Sequence, residues 1–111
     1  MVDRLASHML VGALIRRVGQ AGGFAAVLHH GDETSGSILV QCLEKGQKAG
    51  LFERVPDFAG TYRLAPCGPA ADSTAGETDD YVARRIRSDP DLWLIELDVP
   101  DGQRFAAETI C

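Results

Sequence analysis

The sequence predicts an α+β domain: a two-layer sandwich with two helices on one face of an antiparallel or mixed sheet of five to six strands. Three observations carry this expectation. From Asp79 to Val99 a capped helical segment, a proline stop and an alternating strand follow one another directly. The middle of the chain is cut into short β-rich runs by glycine-containing turns. Each helical segment carries a single apolar stripe, which needs a sheet face to cover it.

From Ser7 to Ala21 the apolar residues Val11, Leu14, Ile15 and Val18 recur at helical spacing, with Ser7 as expected cap and Gly22-Gly23 as stop. Phe24 to His30 alternates weakly, and Ser37 to Leu43 is rich in aliphatic residues. The loop between them, Gly31-Asp32-Glu33-Thr34-Ser35-Gly36, has the chemistry of a hairpin turn. A second turn is expected over Lys45 to Gly50, then a strand from Leu51 to Val55, a turn over Asp57 to Gly60, and a strand from Thr61 to Ala65. The middle thus reads as a four-strand meander.

Pro66 to Gly76 has no periodicity and reads as a surface loop. Thr74 and Glu77 have capping-box spacing, with Thr78 as an alternative cap; Asp79 and Asp80 are expected in the first turn of a helix whose last turn holds Arg84, Arg85 and Arg87. That order of charge complements the helix dipole at both ends. Asp89-Pro90 stops the helix. Trp93, Ile95, Leu97 and Val99 then form one face of a strand, and Gln103 to Ala107 reads as a short edge strand after the turn at Pro100-Asp101-Gly102.

With 111 residues the chain has the length of one domain, 1–111, able to bury roughly 65% of its unfolded surface. The net charge of -5 removes any whole-molecule attraction to nucleic acid or to an anionic membrane, so such contact would have to be local. The longest early apolar run, Met9 to Ile15, is too short to span a bilayer. Three scattered cysteines with no export signal suggest free thiols, and the expected location is cytoplasmic.

No motif assembles a catalytic set. Ser35, Ser37 and Ser88 have no histidine at a hydrolase spacing, and Gly22-Gly23 follows a helix instead of preceding one, as a phosphate loop would. His29, His30 and Asp32 are the nearest approach to a ligand cluster, but adjacent histidines on a strand point to opposite faces. The element order invites comparison with metal-dependent nucleases, with Asp32, Glu44 and Lys45 as candidates; Glu44 and Lys45 are adjacent, however, and aim at opposite sides of a sheet. Trp93 and Cys42 sit in apolar rows and read as core. Arg16, Arg17, Arg84, Arg85 and Arg87 lie near helix C-termini, where cations stabilise the last turn. If the two helices lie side by side and parallel, these arginines form one basic patch suited to an anion or a partner.

Several segments together resemble a small bacterial family known as domain of unknown function 1491. They are Arg4-Leu5, Val11-Gly12-Ala13-Leu14-Ile15-Arg16-Arg17, Gly23-Phe24-Ala25, Gly31-Asp32 with Gly36, and Tyr81 to Arg85 leading into Asp89-Pro90-Asp91-Leu92-Trp93. The resemblance implies a short, stand-alone cytoplasmic domain and brings no activity, cofactor or functional residue with it. The leading expectation is a non-enzymatic module that binds a protein partner or itself as a homodimer, without membrane or cofactor. Alternatives are nucleotide or single-stranded nucleic-acid binding at the arginines, and a metal-dependent hydrolase using His30, Asp32 and Glu44.

Overall fold

A computed structural model describes residues 5–70 and 74–111; Arg4 and positions 71–73 of the expected surface loop lie outside them. The elements run α1 (Ser7–Gln20), β1 (Phe24–His29), β2 (Ile38–Glu44), β3 (Gln47–Pro56), β4 (Tyr62–Pro66), α2 (Ala75–Ser88), β5 (Trp93–Asp98) and α3 (Gly102–Ile110). The α+β class, the order of the first seven elements and a mixed five-stranded sheet agree with the sequence reading.

The sheet order is β1-β5-β2-β3-β4, with β5 parallel to β2 and antiparallel to β1. The expected meander therefore holds for β2, β3 and β4, while β1 and β2 are separated by β5. Burial explains the insertion. Trp93, Ile95 and Leu97 enter one core cluster while Leu94, with Leu92 just before it, enters the other. A strand apolar on both faces belongs in the interior of a sheet.

Alternation in β2 likewise sends Ile38, Val40 and Cys42 to one face and Leu39 to the other. A sheet that is apolar on both sides needs helices on both sides, so the molecule has three layers and not two. The helices sharing a face are α1 and α3, whose Leu10, Leu14, Val18, Ala106 and Ile110 form the larger cluster. The second helix, α2, covers the opposite face with Tyr81, Val82 and Ile86 over Leu39, Leu51, Leu92 and Leu94.

Local chemistry explains the other departures from expectation. The predicted edge strand at Gln103–Ala107 lies within α3. Asp101 turns the chain through the left-handed region at φ 57, and Ala106 and Ile110, four residues apart, are both buried. Ser7 is the first residue of α1 and not its cap, because the loop before β2 supplies the cap instead. The Ser7 and His8 amides donate to the carbonyls of Thr34 and Glu33 at 3.1 and 2.9 Å, and Ser7 Oγ donates to Gly36 O at 2.7 Å. The second turn shrinks to Lys45-Gly46, both at positive φ (51 and 78), the two-residue geometry that matches strand twist, so β3 starts at Gln47. The capping box at α2 is present as predicted: the Glu77 amide donates to Thr74 Oγ1 at 3.2 Å.

Candidate functional site

Two of the segments that carry the family resemblance, Gly31-Asp32 with Gly36 and Asp89 to Trp93, meet where the loop from β1 to β2 steps across the start of β5. The Asp32 amide donates to Asp91 O at 2.9 Å, Trp93 N donates to Ser37 O at 2.7 Å, and Trp93 Nε1 donates to Asp32 O at 2.7 Å. Gly31 and Gly36 press on this crossing so closely that a Cβ on either would stand 2.1 Å from Asp91 O. Trp93 is only 2% exposed, as its apolar row implied, and His30 stacks against it with ring centroids 4.1 Å apart. His29 Nδ1 lies 2.7 Å from Leu92 O and His8 Nδ1 3.0 Å from Glu33 O. A carbonyl only accepts, so both rings carry their proton on Nδ1 in these contacts. These groups hold the junction together.

The same contacts account for the proposed metal ligands. One oxygen of the Asp32 carboxylate accepts from the amides of Thr34 and Ser35 at 3.0 and 2.9 Å and from Ser35 Oγ at 3.2 Å. These bonds, the Ser35 amide foremost, hold the carboxyl below its ordinary value of 3.8. His30 is engaged with Trp93. Glu44 ends β2 six residues beyond Ile38, roughly 20 Å away at the rise of an extended strand. His30, Asp32 and Glu44 therefore do not converge, and among the described residues no three His, Cys, Asp or Glu side chains gather around a common point.

The structure also separates the five arginines. Because α1 and α2 lie on opposite faces of the sheet, Arg16 and Arg17 stand across it from Arg84, Arg85 and Arg87. Arg17 joins α1 to α3 through Glu108 and Thr109 and lies over the ring of Phe105. Arg85 grips Glu53 of β3 with two nitrogens at 3.0 and 2.8 Å and donates to Tyr81 Oη at 2.7 Å. The bond to Glu53 raises its affinity for the proton still further. Arg16, Arg84 and Arg87 remain exposed. The side-by-side parallel helices that a single basic patch required are not present.

The sequence reading placed the open sheet edge at the last strand, Gln103 to Ala107, whereas the structure places it at β1. Outer strand β1 exposes Phe24, Val27 and Leu28 by 78, 39 and 51%. Register places Phe24 beside Asp98 and Ala26 beside Glu96, on the side of the sheet covered by α2. There α2 packs over β2, β3 and the start of β5 and leaves β1 bare. The opposite edge, β4, is five residues long, carries Arg63 and ends at Pro66, features that blunt pairing. The clue in the sequence was the weak alternation of FAAVLH, apolar yet without one consistently buried face.

No helix among the described residues is long and apolar enough to cross a membrane. No curated protein matches the chain. Solved structures do. A crystal structure of a DUF1491 family protein from Caulobacter crescentus CB15 shares 32% identity at a TM-score of 0.78, covering 91% of this chain and 94% of its own. An NMR structure of a DUF1491 family protein from the same organism gives 31% and 0.77, covering 94% of each chain. The solution structure of Atu0922 from A. tumefaciens gives 33% and 0.71, covering 87% of each. The family described as "Protein of unknown function (DUF1491)" matches residues 5–107, a span that contains the clamped β1–β2 crossing and the open β1 edge, and the chain belongs to that family.

Proposed function

We propose that the protein is a non-enzymatic module that associates with a second copy of itself through the free side of β1. The observation that carries this reading is the bare outer strand with its exposed Phe24, Val27 and Leu28. An outer strand offers unpaired backbone N–H and C=O groups, and another strand satisfies them most directly. A second copy fits because Phe24 to Leu28 contains no charged side chain, so antiparallel pairing about a twofold axis sets no like charges opposite one another. The two sheets would then continue as one of ten strands. Such an interface is small, so the dimer forms in a concentration-dependent equilibrium.

Sedimentation velocity across a concentration series tests this. The expected result is a monomer–dimer equilibrium that Val27→Lys and Leu28→Lys each weaken at least tenfold, because like charges then meet across the axis. A monomer at every concentration, or a dimer indifferent to both substitutions, overturns it.

A further inference from the structure

The two faces of the sheet are covered unequally. Five strands spaced by roughly 4.8 Å place the outer strands about 19 Å apart, and helices pack roughly 8–10 Å from one another, so each face has room for two. On one face α1 and α3 take that room; on the other α2 lies alone, over β2, β3 and the start of β5. What it leaves bare is built from Phe24 and Ala26 of β1 and, beside them in register, Asp98 and Glu96 of β5. Trp93, Ile95 and Leu97 point to the α1 side, so Glu96 and Asp98 share the α2 side with Leu94.

The chemistry of this bare half is an apolar row beside an acidic one. Phe24 is 78% exposed and Ala26 is exposed, while Glu96 and Asp98 are half-buried. One oxygen of Asp98 accepts from the Gly46 amide at 3.2 Å, yet among the described residues neither carboxylate has a Lys, Arg or His within salt-bridge distance. Glu53, on the covered part of the same sheet, is held by Arg85 at 2.8 Å. An apolar cover without cations would seal Glu96 and Asp98 from water unpaired, which is costly, whereas a cover bringing its own cations gains charge-assisted hydrogen bonds there. Two residues along a strand span roughly 6.8 Å and four residues of helix span about 6 Å, so basic side chains four apart on a helix match the two carboxylates. The net charge of -5 adds long-range attraction for such a segment. A second copy does not supply it, because the apolar stripes of α1, α2 and α3 are all spent on their own sheet.

We infer that the bare half of the α2-side face binds a basic amphipathic helix of another protein, its apolar stripe on Phe24 and Ala26 and a Lys or Arg pair on Glu96 and Asp98. This helix takes the place that a second helix would occupy beside α2. The site lies on the face of the sheet and not along its rim, so it goes beyond the edge pairing proposed above.

The test uses the full chain and a fluorescein-labelled helical peptide of about 18 residues, with leucines on one face and lysine pairs four apart on its flank, read by fluorescence anisotropy. Saturable one-to-one binding is expected, weakened about tenfold by Phe24→Ser and by Glu96→Gln and unchanged by Glu33→Gln, which removes the same charge elsewhere. Val27→Lys, on the opposite side of the sheet, is expected to leave the affinity unchanged, which separates this site from the edge pairing. The inference is overturned by no saturable binding, by equal binding of a peptide with glutamate in place of lysine, or by equal losses in Glu96→Gln and Glu33→Gln. Sedimentation of Glu96→Gln alone is the last arm: an unchanged self-association supports a foreign helix, and an altered one assigns the face to a second copy and removes the inference.

Discussion

At the scale of single residues, the most constrained positions are those where backbone passes close to backbone. Gly31 and Gly36 have no room for a Cβ because the Asp91 carbonyl occupies that space at 2.1 Å. Replacing either by alanine forces the loop off β5 and strains the bonds that Asp32 and Ser37 make there, at about 1–3 kcal/mol. Urea unfolding of Gly36→Ala is expected to show that loss, while Gly19→Ala, where nothing lies within 4 Å, should leave stability equal or higher. Both glycines of the crossing were visible in the sequence, but as turn-formers free to take positive φ. Neither uses that freedom, and the close approach that requires them depends on a strand more than fifty residues later in the chain. Cys42 was readable as buried from its neighbours Ile38 and Val40, and burial pushes its thiol up to about 11.

At the scale of elements, local signals succeeded where an element carries its own boundaries. The capping box of Thr74 and Glu77 and the stop at Asp89-Pro90 needed no tertiary information to locate α2. The last element failed that reading, because over Gln103 to Ala107 alone a period of two and a period of 3.6 are hard to tell apart. Only the four-residue step from Ala106 to Ile110, each buried against α1 and the sheet, separates them. An exposed edge strand would lose little on truncation beyond its end, whereas α3 fills a core position with Ile110 at 2% exposure. Ile110→Ala is accordingly expected to cost about 2–4 kcal/mol, read as a lower urea midpoint at unchanged m-value.

At the scale of the whole molecule, two helical layers share one sheet, and β2 and β5 present apolar side chains to both. Neither layer can be lost without exposing the central strands to water. Trp93, the sole tryptophan and 2% exposed, therefore reports on the entire fold. Its fluorescence and the far-UV circular dichroism are expected to trace one coincident unfolding transition; a helical signal lost well before the tryptophan signal would show that α2 detaches by itself. The sequence alone determined the class, the order of the first seven elements, the burial of Trp93 and the stop of α2, because spacing, caps and proline act over a few residues. Only the tertiary structure decided that β5 slides between β1 and β2, that α1 and α2 take opposite faces and divide the arginines, and that β1 is left at the rim. Those outcomes depend on which strands have two apolar faces to hide at once, and that competition is settled by the packing of the assembled sheet, not by any local run of residues.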